Sequence, residues 1–120
     1  MPFLISKVNI PVTEQQERKL KTLLGRAIAL VPGKSEDSLL LVLEDRCSIY
    51  LRGDGGTPAA YLSAAVFHNE SHGGYDEFTA AATEAYRDVL GIDPEHVFLR
   101  FEDISAWGVA GQYLDRRMLP

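Results

Sequence analysis

The stretch Leu20-Lys21-Thr22-Leu23-Leu24-Gly25-Arg26-Ala27-Ile28-Ala29-Leu30-Val31-Pro32-Gly33 decides the fold, because it has a counterpart 58 residues further on. That counterpart is Phe78-Thr79-Ala80-Ala81-Ala82-Thr83-Glu84-Ala85-Tyr86-Arg87-Asp88-Val89-Leu90-Gly91. In the first, Leu20, Leu23, Leu24, Ala27, Ile28 and Val31 fall at i, i+3, i+4, i+7, i+8 and i+11, one apolar stripe at helical period. In the second, Phe78, Ala81, Ala82, Ala85, Tyr86, Val89 and Leu90 do the same. Upstream of the first stripe, Thr13 with Gln16 three residues on reads as a capping box, and Glu14 sits where the helix dipole favours an acid. Pro32-Gly33 ends the first helix and Gly91, with Pro94 beyond, the second.

Each helix is flanked by candidate strands: residues 2–8 and 38–44 around the first, 58–67 and 96–102 around the second. Leu39 to Leu43 is an almost unbroken apolar run, as expected of a strand buried on both faces. Strand–helix–strand occurring twice predicts two right-handed crossover units, each joining parallel strands. At the 58-residue offset Gly33 falls on Gly91, Leu41 on Leu99, Val8 on Val66, and Glu44-Asp45 on Glu102-Asp103, while Pro2 falls on Ala60. The chain therefore reads as one α/β (α+β) domain spanning 1–120: two β-α-β repeats, about 2–57 and 58–112, and a tail at 113–120. They form a four-stranded sheet with two helices on one face. The other face lacks a cover, which points to self-association.

Composition narrows the function. A net charge of −5, from 12 basic and 17 acidic residues, gives a nucleic-acid partner no electrostatic support. No apolar run approaches the roughly 18 residues of a membrane span. Met1 to Lys7 lacks the pattern of a signal peptide, and a single cysteine, Cys47, excludes an internal disulfide; a cytoplasmic location is the expectation.

Candidate chemistry starts at Pro2. If Met1 is removed, the proline nitrogen is a free secondary amine held at a strand start; otherwise Pro2 simply opens the strand. Lys34 follows Gly33 in the loop after the first helix. Gly33-Lys34-Ser35 resembles the end of a phosphate loop, but Ile28 stands where a glycine belongs and a helix precedes it, so a nucleotide site is rejected. Lys34 is either a solvated loop lysine or a cation for a carboxylate. His68-Asn69-Glu70-Ser71-His72 reads as a polar loop and not a metal site. Gly53-Asp54-Gly55-Gly56 reads as a turn closing a hairpin whose strand is Ser48 to Leu51. Arg116-Arg117 falls in a loose tail. Nothing in Cys47's neighbourhood marks it as reactive, and no metal or cofactor motif is present.

Pro2 opening the first strand, Pro11 after it, Gly33-Lys34, Thr57-Pro58-Ala59, Ile92-Asp93-Pro94 and Glu102-Asp103 together resemble the macrophage migration inhibitory factor and D-dopachrome tautomerase family of the tautomerase superfamily. The match runs from Pro2 to about Gln112. The resemblance implies a homotrimer with active sites between neighbouring subunits. It implies cofactor-independent keto–enol tautomerisation of a small α-keto or enol acid such as phenylpyruvate. It assigns Pro2 as catalytic base, Lys34 to the substrate carboxylate or carbonyl, Phe67 to a backbone N–H contact, and Phe98 and Arg100 to substrate binding. Phe98 and Arg100 share one face of their strand. They stand where animal members carry a tyrosine and an asparagine. Arg100 there is either a fork for a carboxylate, implying a more acidic enol, or a partner of Glu102 or Glu44. The alternatives are a cytokine-like or binding trimer without activity, and a hydratase- or dehalogenase-type reaction.

Overall fold

The computed structural model describes residues 2–120. Strand β1 (Pro2–Val8), helix α1 (Glu14–Ile28) and strand β2 (Leu40–Glu44) form the first half; β3 (Ala60–Phe67), α2 (Tyr75–Leu90) and β4 (Val97–Ile104) form the second. A hairpin of β5 (Ala106–Val109) and β6 (Gln112–Asp115) follows. The main sheet runs β2-β1-β3-β4, with β1 and β2 parallel, β3 and β4 parallel, and the central pair β1 and β3 antiparallel. Both expected β-α-β crossovers are present, joined back to back.

Alternation along the strands sorts the two faces. Leu4, Ser6 and Val8 of β1 and Ala60, Leu62, Ala64 and Val66 of β3 are buried. They share one core with Leu20, Leu24, Ala27 and Ile28 of α1 and Phe78, Ala82, Ala85 and Tyr86 of α2. Ser6 is a polar residue at a core position, and the Tyr86 hydroxyl donates to its Oγ at 2.6 Å, tying α2 to the central strand. Burial pushes the Tyr86 hydroxyl up to about 12, so it stays a donor over the physiological range.

The capping box forms as expected. Gln16 N–H donates to Thr13 Oγ1 at 3.1 Å and Thr13 N–H to Gln16 Oε1 at 2.9 Å. Helix α1 ends at Ile28, before its stripe does. Ala29, Leu30 and Val31 donate to carbonyls three residues back, a tightened turn that prepares the chain for Pro32 and for Gly33 at φ 75°. Gly91 closes α2 in the left-handed region at φ 68°, its N–H bonding Arg87 O.

Three expectations fail. Strand β2 is not buried on both faces: it lies at the sheet edge with Leu40 and Val42 exposed. Residues 48–51 are not a hairpin strand: only Leu51 and Asp54 pair, because Asp54 folds back on Gly56 N–H and the Thr57 hydroxyl in a tight polar turn. The tail is not loose. Its β6 pairs with β5, Trp107 packs edge-on against Phe3 at 5.6 Å, and a short turn at Arg116–Met118 follows. Asp115, almost buried, caps that turn through Arg117 N–H. The Arg117 guanidinium beside it, then that N–H and the Tyr113 hydroxyl, hold its carboxyl well below the usual carboxylate range.

The second sheet face is uncovered by this chain. The register aligns three rows across it: Leu40, Phe3, Ala65 and Glu102; Val42, Ile5, Ser63 and Arg100; Glu44, Lys7, Tyr61 and Phe98. Leu40 is 53% and Phe98 50% exposed, so large apolar groups face solvent beside charged ones. Among the described residues no helix is long and apolar enough to cross a membrane.

Candidate active site

Pro2 is the first residue of β1 and pairs with Val66 of β3. Its ring lies on the helix side and is among the fully buried side chains. Because β1 and β3 are antiparallel, the end of β3 lies beside the start of β1. Phe67, its last residue, is 6% exposed and pairs with Ile104. Helix α1 runs back along β1, so its C-terminal turn and the Lys34 loop return to this same end before β2 begins opposite Phe3.

That loop is held in place. Lys34 N–H donates to Val31 O at 3.0 Å, and Glu36 pairs with Lys21 of α1 at 3.0 Å, its carboxylate lying over Gly25 where a Cβ would obstruct it. The start of α2 presses on the same place, since Gly74 sits against the backbone of Leu30 and Val31. Pro2, Lys34 and Phe67 thus occupy one end of the sheet.

Phe98 and Arg100 lie elsewhere. They project from the uncovered face opposite Tyr61 and Ser63, whereas the Pro2 row continues through Val66 to Asp103. Strand geometry puts Arg100 about 14 Å and Phe98 about 19 Å from Pro2, from ~3.3 Å per residue and ~4.8 Å per strand. Phe98 instead lines a cleft of about 450 Å³ with Tyr50, Leu51, Ala60 and Tyr61. Arg100 Nη2 lies 3.6 Å from Glu102 Oε1, a loose exposed contact, and Glu44 pairs with Lys7 at 3.7 Å. Of the two partners considered for Arg100, Glu102 is the one it meets.

Several residues without an expected site role cluster in and around the loop after β3. His72 Nε2 lies 2.8 Å from Asp103 Oδ2, and the His72, Tyr75 and Phe101 rings stack in turn at 5.2 and 4.3 Å. Burial pushes the Tyr75 hydroxyl up. The 68–72 segment is a loop as expected, with Asn69 Nδ2 donating to Gly73 O at 3.1 Å. His68 and His72 both take positive φ, 65° and 61°. Glu70 pairs with Arg116 of the C-terminal turn. Its own backbone N–H, and then Arg116, hold the Glu70 carboxyl below its ordinary value. The strand pairing that puts Asp103 in the Pro2 row is a register fact with no local sequence signal. Among the described residues no three metal-ligating side chains converge.

No family model and no curated protein matches the chain. Solved structures do. MIF2 of Leishmania major superimposes with a TM-score of 0.84 at 23% identity, covering 95% of this chain and 97% of that one. Pt0534, solved inactivated by 2-oxo-3-pentynoate, gives 0.84 at 15% identity, covering 98% and 99%. A fused 4-OT wild-type asymmetric trimer gives 0.80 at 18%, covering 97% of each. At these identities the likeness establishes the fold.

Proposed function

We propose that this chain, whose fold is that of the macrophage migration inhibitory factor family and the wider tautomerase superfamily, is a cofactor-independent keto–enol tautomerase. Its base is the amine of Pro2, freed by removal of Met1. The observation that carries the reading is Pro2 itself: a proline buried at the very start of a central strand, with Lys34 and the end of β3 at the same sheet end. A secondary amine there has no flexible side chain, so its nitrogen is fixed by the sheet. It takes a proton from the carbon beside a substrate carbonyl and returns it elsewhere on the enol, base and acid in one group. Lys34 binds the carboxylate or the carbonyl oxygen, and the backbone at Phe67 supplies an N–H contact. The substrate is a small α-keto acid such as phenylpyruvate, or a more acidic enol. The inactivation of the similarly folded Pt0534 by 2-oxo-3-pentynoate, itself a 2-oxo compound, supports that substrate class.

The separation of Phe98 and Arg100 from Pro2 supports a homotrimer in which these two residues serve a neighbour's site. The uncovered sheet face and the trimeric neighbour among similar structures favour the same arrangement. Light scattering on a sizing column is expected to return three times the 13.3 kDa chain mass. A monomer at micromolar concentration would remove the shared site.

Lys34→Ala and Arg100→Ala are each expected to weaken acidic substrates by roughly 1–3 kcal/mol, the range for hydrogen bonds to charged groups. Neutral ketones are expected to be nearly unaffected. Equal losses for both classes would assign these residues to structure instead.

The direct test of the whole reading pairs an N-terminal mass measurement with a tautomerase assay on the native protein. Full activity in protein that retains Met1 would rule it out, since the proline nitrogen is then an amide. Met1 retained with no activity would leave a binding trimer as the better account. The hydratase- or dehalogenase-type alternative needs an acid beside Pro2 to activate water; Asp103, in the Pro2 row, is engaged by His72.

A further inference from the structure

The helix layer carries a surface that the proposed function does not use. Helices α1 and α2 lie side by side and antiparallel. The start of α1 meets the end of α2, where Gln16 Nε2 donates to Val89 O at 3.4 Å, and the start of α2 meets the end of α1 at Gly74. Between them two depressions of about 500 and 300 Å³ share Leu23, Arg26 and Asp88, and so form one groove. Leu23 and Val89 line its first part, and Leu30, Ala81 and Ala85 its second. Leu30 is 45% exposed. The groove thus keeps apolar side chains in contact with water, and its alanines leave room for an incoming side chain.

The charges on the two walls are unequally satisfied. On the α2 wall Arg87 engages both acids, its Nη2 lying 2.7 Å from Glu84 Oε2 and 3.4 Å from Asp88 Oδ1. On the α1 wall Arg18 pairs with Glu14 at 3.2 Å. Lys19 and Arg26, both exposed, have no ion-pair partner among the described residues. They stand seven positions apart, two helical turns, which puts them on one face of α1 about 10.5 Å from each other along its axis. In a chain of net charge −5 these two cations are left for an anion from outside.

We infer that this groove docks an acidic amphipathic helix of another protein. Its apolar stripe packs between α1 and α2, and two carboxylates seven residues apart meet Lys19 and Arg26. The shape selects a helix. The groove lies open along its length, so a small molecule there would stay mostly in water, whereas small-ligand sites enclose most of their ligand. Helix α1, with 15 residues, runs about 22 Å, and a third helix can set its ridge of side chains into the trough between two others. The charge selects the partner's sign, and the two-turn spacing of the cations selects the spacing of its acids. The inference goes beyond the tautomerase reading and does not rest on it, because the groove is built from the helix layer and the uncovered sheet face lies on the other side.

The test uses labelled synthetic peptides of about 18 residues, five helical turns, titrated by fluorescence anisotropy against the full chain. All share a leucine stripe at helical spacing. The first carries two glutamates seven apart beside the stripe, the second has lysines at those positions, and the third has the glutamates on the opposite face. The first is expected to bind about tenfold or more tighter than the others, to weaken with added salt, and to gain helical circular dichroism on binding. The double variant Lys19→Glu/Arg26→Glu is expected to reverse the order and prefer the lysine peptide, with its assembly unchanged. Leu30→Gln is expected to weaken the first two peptides alike.

Equal affinity for the three peptides, binding of none, or binding without gain of helix overturns the proposal. So does an order that the double variant leaves unreversed, the arm that decides should Leu30→Gln fail to fold, or unchanged affinity in a folded Leu30→Gln. A second copy of this chain as the occupant would appear as a larger mass by light scattering that the double variant reduces, and that result also overturns it. Tautomerase activity in the double variant is expected to match wild type. A wild type that binds the first peptide but is inactive as a tautomerase would overturn the Pro2 reading and leave the groove standing.

Discussion

Pro2→Ala is expected to lower kcat/KM for an enolisable α-keto acid by about 10²-fold or more, the scale of a displaced general base. A primary amine remains, but its position and basicity both change. An ordinary α-amino group titrates near 7.7–8.0. In the proposed site two effects would disfavour the ammonium form: burial at the edge of an apolar core containing Leu4 and Val66, and the like charge of Lys34. On the proposed reading the free amine is the active form, so activity is expected to rise with pH through a limb below that ordinary range. Lys34→Ala removes the like charge and moves this limb upward. A rising limb at or above the ordinary α-amino range, unmoved in Lys34→Ala, would separate the chemistry from Pro2.

Gly74→Ala is expected to destabilise the protein by roughly 2–6 kcal/mol, adding strain of ~1–3 for a non-glycine residue in a disfavoured backbone region to overpacking of ~1–3. Gly74 has φ 80°, and a Cβ there would strike Leu30 O and come within 2.9 Å of Val31 Cα. Both obstacles are backbone, so neither can rotate away. The contact is where the start of α2 meets the tightened end of α1, one turn before Lys34. The melting temperature is expected to fall by roughly 8–24 °C. Gly33→Ala is the control: its φ is 75° but its Cβ would meet nothing within 4 Å. It is expected to cost only the backbone strain. Equal losses at the two positions would show that the helix contact is not what Gly74 serves.

Local signals carried most of the fold. The apolar stripes, the Thr13–Gln16 box and the glycine stop at Gly91 are all written within a few residues; box and stop formed where their patterns placed them, while α1 ended at Ile28, three residues short of its stripe. The open sheet face was legible for a different reason: two crossover units of the same hand leave both helices on one side. What was not legible depends on contacts between distant segments. Trp107 gives no local sign that it will pack against Phe3, and nothing near Arg116 announces Glu70, 46 residues away. The tail therefore looked loose. The Ser48–Leu51 strand failed through competition, because Asp54 offers the backbone a closer partner than a second strand would. For the candidate site, Pro2, Lys34 and Phe67 were placed by topology at one sheet end. Phe98 and Arg100 were assigned by resemblance, and a single chain does not bring them there.

The antiparallel joint between β1 and β3 has a consequence for the order of folding. The pairings within each half close comparatively short loops, whereas Pro2 meets Val66 only after 64 positions of chain are brought together. Loop-closure entropy grows with that span, so the central pairing is the more costly to nucleate and the natural last step. Each half can gather its helix onto its parallel pair before Pro2 reaches Val66. On the proposed function, activity would then appear only once the two halves have met, and would report the completed fold.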